Sequence, residues 1–208
     1  MMTRRMETLF LAGPAGRLEA LLEEPGSGEP RAAALVLHPH PLGGGTMHNK
    51  VVYRMARALR ELGAVTLRFN FRGVHLSEGQ HDHGRGEVED ARTARDFLSE
   101  RYPGLPLVIA GFSFGSRVAL QCWQGARRVY VVGFPTIYRQ YSLLDQCPVL
   151  RVFVHSTNDE FGPREQLQLV YDRLWEPKRL HWVEARDHFF AGNLEGFEQV
   201  IRAEELPD

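Results

Sequence analysis

Leu107-Val-Ile-Ala-Gly-Phe-Ser-Phe-Gly-Ser-Arg-Val-Ala-Leu120 is the stretch that decides the fold. Residues 107–110 form a short apolar run preceded by Gly-Leu-Pro, the pattern of a buried strand. Gly111-Phe-Ser-Phe-Gly115 follows, and then apolar residues at helix-compatible positions, Val118, Ala119 and Cys122. In the order strand, Gly-x-Ser-x-Gly, helix, the serine sits on a sharp turn and is a candidate nucleophile. Such a reversal crowds the Cβ atoms on either side of Ser113, and glycine at 111 and 115 removes that clash. The helix that follows points its N-terminal dipole at the serine. The pentapeptide alone also fits an ordinary glycine turn, so residues at other strand ends have to decide between the two.

Outward from this stretch, strands are expected over residues 7–11 and 17–22, joined as a hairpin around Gly13-Pro14. Further strands fall at 33–37, 65–69, 129–133, 149–154 and 180–183. Helical spacing marks residues 47–62, stopped by Gly63, and residues 87–100. Pro163 suits the first position of a helix carrying Leu167, Val170, Tyr171 and Leu174. Asn193 caps a final helix with Leu194, Phe197 and Ile201 inward. No repeat or domain boundary interrupts the series, so residues 1–208 read as a single α/β domain. Its expected architecture is a mainly parallel central sheet with an antiparallel N-terminal hairpin and helices on both faces.

Composition removes several classes of function. With 208 residues, 43% hydrophobic and 25% charged, the chain can bury one sizeable core. A formal net charge of -1 gives no general attraction to nucleic acid or anionic membranes. Cys122 and Cys147 are far apart in apolar surroundings and match neither a disulfide framework nor a zinc spacing; both are expected reduced and buried. No apolar run reaches membrane-spanning length, and the N-terminus lacks an apolar core followed by a cleavage site, which points to the cytoplasm.

Ligands of such sheets bind beyond the carboxyl ends of the strands. A serine hydroxyl needs a base to take its proton, and the base needs a partner to fix its tautomer. After the strand ending at Val154 comes His155-Ser-Thr-Asn-Asp-Glu160, and after the last strand comes Glu184-Ala-Arg-Asp-His-Phe-Phe190. Ser113, Asp159 and His188 thereby form a candidate catalytic set in the order Ser, Asp, His. Each has a plainer alternative. Asp159 could be a turn residue or helix cap, His188 a structural histidine, and Glu160 and Asp187 are competing acids. An anion site would need the backbone N–H of Phe114 and a second donor from the loop His38-Pro-His-Pro-Leu42. Pro39 and Pro41 have no N–H, so His40 is the central residue able to donate. Gly43 to Gly45 let the chain leave this proline turn, and they do not form a phosphate loop.

His-Pro-His-Pro-Leu-Gly-Gly-Gly-Thr-Met-His-Asn-Lys-Val-Val, Asn-Phe-Arg-Gly-Val, Gly-Phe-Ser-Phe-Gly and Asp-His-Phe-Phe together resemble a compact bacterial branch of the α/β-hydrolase superfamily, nearest the dienelactone-hydrolase-like enzymes. The resemblance spans roughly residues 30 to 205. It implies an α/β-hydrolase fold, no cofactor, and hydrolysis through Ser113, Asp159 and His188. The chain departs from the usual pattern in having His75 where relatives often have glycine, Arg186 among usually small residues, and Phe161-Gly162 after the acid. Dienelactone-type enzymes typically carry cysteine at the position of Ser113.

About fifteen residues separate Gly133 from Val149, where larger relatives insert a lid domain. Without one, the site is expected to be open and walled by Phe134, Tyr138, Tyr141, Phe161 and Phe189, suiting small acyl ester substrates. His81-Asp-His83, with His75 nearby, has a spacing that could hold a metal but reads as a solvated loop, and no metal is expected. Arg72 could bind an anion or tie loops together. The reading is thus a serine hydrolase of carboxylic esters. The alternatives are a thioesterase or acyl-peptide hydrolase with the same triad, or a scaffold that only binds a partner protein and has no need of all three residues.

Overall fold

A computed structural model describes residues 5–207. The chain starts with a hairpin, β1 (Met6–Gly13) and β2 (Gly16–Glu23), in full antiparallel register. There follow β3 (Ala32–Leu37), α1 (Lys50–Glu61), β4 (Ala64–Phe69), α2 (Arg85–Arg101), β5 (Leu107–Phe112) and α3 (Phe114–Ala119). The remainder is β6 (Ala126–Val132), α4 (Ser142–Asp145), β7 (Leu150–Ser156), α5 (Arg164–Arg173), β8 (Lys178–Val183) and α6 (Leu194–Ala203). One sheet takes all eight strands in the order β1-β2-β4-β3-β5-β6-β7-β8, parallel from β4 to β8.

The sequence expectation of a doubly covered, mainly parallel sheet is met, and side-chain alternation explains it. Along β5, Leu107 and Ile109 join a core with Val88, Ala91, Ala94 and Leu98 of α2, Val118 of α3 and Leu167 of α5. Val108, Ala110 and Phe112 join the opposite core with Val51, Val52, Met55 and Leu59 of α1 and Phe197 and Ile201 of α6. A strand buried on both faces has no polar side to show, hence the uninterrupted apolar runs at β3 and β5.

Helix limits moved where side chains intervene. The first helix begins after Asn49, whose Oδ1 accepts from Val51 N at 2.9 Å, rather than at residue 47. The N–H of Met47 instead donates to Asn70 Oδ1 at 2.8 Å, tying it to the loop after β4. The helix after Ser113 ends at Ala119, and Cys122 is buried just beyond it. Pro163 caps α5 with an extended ψ of 136° rather than occupying its first helical position. Asn193 caps α6 through Gly196 N as expected.

The chain runs from β3 to β4 on one side and then crosses to β5 on the other side of β3. Neighbouring strand ends that diverge in this way leave a crevice between them. The loop holding His40 follows β3 and Ser113 follows β5, so these two residues flank that crevice.

Candidate active site

Ser113 caps α3 with φ 55° and ψ −116°, a backbone region that side-chain-bearing residues rarely occupy. Surrounding bonds hold it there: Ser113 N–H donates to Val132 O at 2.9 Å, and its carbonyl accepts from Ser116 N and Ser116 Oγ at 3.0 and 2.6 Å. Both flanking glycines are sterically required. A Cβ on Gly111 would sit 2.1 Å from Gly115 O, and one on Gly115 would sit 2.6 Å from the carbonyl oxygens of Leu37 and His38.

The loop after β3 is braced by its first histidine. Phe71 N–H donates to His38 Nε2 at 3.0 Å, and His38 Nδ1 lies 2.7 Å from Pro39 O. A backbone N–H can only donate and a carbonyl only accept, so His38 carries its proton on Nδ1. Complete burial pushes its pKa down to about 3, overriding the bond to Pro39 and aided by the charge of His75. Next, His40 caps a 3-10 turn, Pro41–Gly43, with its carbonyl taken by Gly43 and Gly45 N–H at 3.0 Å each. The N–H groups of His40 and Phe114 have no acceptor among the described residues. Of the three glycines, Gly45 is needed for space, since a Cβ there would lie 2.1 Å from Pro39 O, and Gly44 for its φ of 78°. Gly43 has room for a side chain.

His188 Nδ1 lies 2.7 Å from Asp159 Oδ2, and each residue is 2% exposed. Asp159 Oδ1 accepts from Phe161 and Gly162 N–H at 2.8 and 2.9 Å. Burial works to raise the Asp159 pKa, but the bond from His188 and the nearby His155 outweigh it, and the carboxyl is held below its usual range. An ionised acceptor at Oδ2 requires the proton on His188 Nδ1, which frees Nε2 as a base. The competing acids are occupied elsewhere: Glu160 accepts from His188 N–H at 2.9 Å, and Asp187 Oδ1 accepts from Phe189 and Ala191 N–H at 2.9 and 3.0 Å. The His188 ring stacks on Phe112 at 4.8 Å and touches Phe161 at 4.8 Å.

Ser113, Phe114, His40 and His188 line one cleft of about 390 Å³ together with Tyr138, Phe161 and Phe189. Two expected wall residues are elsewhere. Phe134 is 1% exposed within the core. Tyr141 packs against that core with its hydroxyl donating to Thr136 O at 3.1 Å, which turns the ring away from the cleft. Phe190 likewise belongs to the core, with φ 56° and its ring 4.6 Å from Phe197.

Three residues here went unnoticed in the sequence. His155, at the end of β7, has Nε2 2.7 Å from Gly162 O and 3.3 Å from Asp159 Oδ2. Burial lowers its pKa against the pull of Asp159, so it is a neutral brace with its proton on Nε2. Gly133, with φ 54°, leaves the space that His188 fills, for a Cβ there would lie 3.0 Å from His188 Cε1. Arg117 lines the cleft one helical turn beyond Ser113. The histidine at β7 was visible beside the acid, but nothing in its spacing distinguished it from any strand residue.

Other singled-out residues are structural. Arg72 forks onto Asp90 with bonds of 3.0 and 2.7 Å and ties the loop after β4 to α2 rather than to another loop. His75 has φ 46°, which accounts for the glycine common at its position. His81 is not a solvated loop residue: its Nδ1 is 2.8 Å from the buried Glu87 and its ring is 4.9 Å from that of His40. No group of three or more potential metal ligands occurs among the described residues. Both cysteines are free and buried, and burial pushes their thiols up to about 12 for Cys122 and about 11 for Cys147. Among the described residues no helix is long and apolar enough to cross a membrane.

Comparison with known proteins agrees with this architecture. The alpha/beta hydrolase domain family matches residues 32–198, a span that includes Ser113, Asp159 and His188. An uncharacterized protein of Rickettsia prowazekii is 36% identical over 211 residues, covering 94% of this chain and 87% of that one. An alpha-beta serine hydrolase homologue from Coxiella burnetii superposes with a TM-score of 0.91 at 34% identity over 98% of both chains. XC6422 from Xanthomonas campestris, an a/b serine hydrolase without lid, gives 0.90 at 30% identity over 98% of this chain and 94% of its own. With its sheet order, its serine turn and these matches, the chain belongs to the alpha/beta hydrolase family.

Proposed function

We propose that this protein is a serine hydrolase that cleaves carboxylic esters through Ser113, His188 and Asp159. The observation that carries the reading is the 2.7 Å bond between the buried His188 and Asp159, in a cleft also lined by Ser113. Asp159 fixes the His188 tautomer and balances its charge when it becomes protonated. His188 Nε2 takes the Ser113 proton as Oγ attacks the ester carbonyl, then returns it to the departing alcohol. The N–H groups of His40 and Phe114 hold the oxyanion that forms between these events. Water, activated by the same histidine, then hydrolyses the acyl-enzyme.

Labelling with a fluorophosphonate followed by peptide mapping tests the proposal. An adduct on Ser113 that is lost in His188→Ala supports it, and an unlabelled Ser113 in the folded protein rejects it. Ser113→Ala is expected to lower ester turnover by roughly 10⁴ to 10⁶-fold.

A further inference from the structure

Among the described residues Arg117 is the one permanent charge on the wall of the cleft, and the ester mechanism makes no use of it. It lies on α3 four residues after Ser113, about 6 Å further along the helix axis. No aspartate or glutamate among the described residues lines the cleft. The partners of its guanidinium are neutral: Nη2 donates to Gln140 Oε1, and the group lies 5.4 Å from the Tyr138 ring and 6.0 Å from the Phe114 ring. Its Nε is buried with no hydrogen-bond partner among the described residues. Arg151 shares the unpartnered Nε but differs at its terminal nitrogens, which donate to two backbone carbonyls, those of Leu144 and Trp175.

A guanidinium partly withdrawn from water loses hydration, which burial expresses by pushing its pKa down, opposed only by Tyr138. An incoming anion would replace that hydration at the part of the guanidinium that water still reaches. His40, beside Phe114 at 5.0 Å, adds no second cation, because burial and then His81 and Arg117 depress its pKa. A single cation suits a singly charged carboxylate better than a phosphate, which calls for several charged donors.

We propose that Arg117 binds a carboxylate carried by the substrate, so that the preferred substrates are short esters with an acidic group on one side of the scissile bond. This rests on the ester-hydrolase reading of the same cleft, and it adds a substrate class to that reading.

Two matched pairs distinguish which side carries the charge: monomethyl succinate against methyl butyrate for the acyl side, and acetoxyacetate against propyl acetate for the alcohol side. The wild type is expected to favour the acidic member of one pair by about tenfold or more in kcat/KM. Arg117→Gln should raise KM for that ester until the preference shrinks to about threefold, leave the neutral ester unchanged, and be partly rescued in Arg117→Lys. No preference in the wild type, a preference that survives Arg117→Gln, or an equal fall on both members would overturn the proposal. Should the wild type hydrolyse none of these esters, the ester-hydrolase reading is what fails. Saturation-transfer NMR then tests Arg117 by itself. Binding of monomethyl succinate over methyl butyrate that disappears in Arg117→Gln supports the site, and equal signals reject it.

Discussion

Asp159 is buried yet held ionised, because Phe161 and Gly162 N–H, His188 and His155 all surround its two oxygens. Asn at this position keeps the shape but has one oxygen, and its amide favours the wrong His188 tautomer. Asp159→Asn is therefore expected to reduce kcat by about 10² to 10⁴-fold with little change in KM, measurable in steady-state ester hydrolysis. Gly133 acts through space instead. Its φ of 54° disfavours any side chain, and an added Cβ would press on His188 Cε1 and Phe112 Cε2, each at 3.0 Å. Gly133→Ala is expected to cost about 1 to 3 kcal/mol in urea unfolding and to lower kcat by about tenfold or more as His188 is displaced. Unchanged kcat would show that the histidine has room to spare.

At the scale of elements, the site depends on how closely α3 and the ends of β3 and β4 approach one another. His38 joins the latter two through Phe71 N–H, and it does so only while neutral. Its pKa is 6.5 ordinarily and about 3 in the folded protein, so between these values the unfolded chain binds the extra proton. This contribution to stability is complete above pH 6.5 and is lost as the pH falls toward 3. His155, also depressed, acts with the same sign, and Asp159 adds its loss below the usual carboxylate range. Urea stability should thus fall between pH 6.5 and 5, with His38 contributing at most about 1.4 kcal/mol per pH unit. His38→Gln should be less stable at pH 7 but show a shallower slope, and an identical slope would remove His38 from the account. The same packing sets the fate of Gly115→Ala, whose Cβ would meet the Leu37 and His38 carbonyls at 2.6 Å. It is expected to push α3 away from β3 and leave little folded protein, measured by soluble yield and circular dichroism.

For the whole molecule, the segment between β6 and β7 holds only a 3-10 turn, Thr136–Tyr138, and the one-turn α4, too little chain to form a lid over the cleft. If the proposed ester substrates occupy it, an open site of about 390 Å³ should favour short acyl chains and gain little from longer ones. Across p-nitrophenyl esters, kcat/KM is expected to peak at acetate to butyrate and to fall by about tenfold or more by decanoate, as each further methylene stays in water. Activity should not jump when substrate begins to form micelles, since the segment between β6 and β7 forms no lid that has to open. A sharp rise at that point would contradict the open cleft.

The chain's own pattern settled where strands and helices alternate, placed a hairpin at the start, and marked the candidate residues for chemistry. Apolar strand runs, helical spacing, glycines around Ser113 and the order Ser113, Asp159, His188 are local or periodic features, and each leaves a mark in the sequence. Tertiary structure alone decided the rest. Phe134 and Tyr141 looked like wall residues by position, but the turn after β6 sends both rings into the core. Arg117 looked like any helix arginine until the fold left it facing the cleft without a carboxylate. Gly133 and His155 matter only because β6, β7 and the loop after β8 come together around one imidazole. Spacing along a chain encodes which face a side chain takes. It does not encode which distant groups will crowd it, desolvate it or share its proton, because those depend on strands brought together by the sheet order.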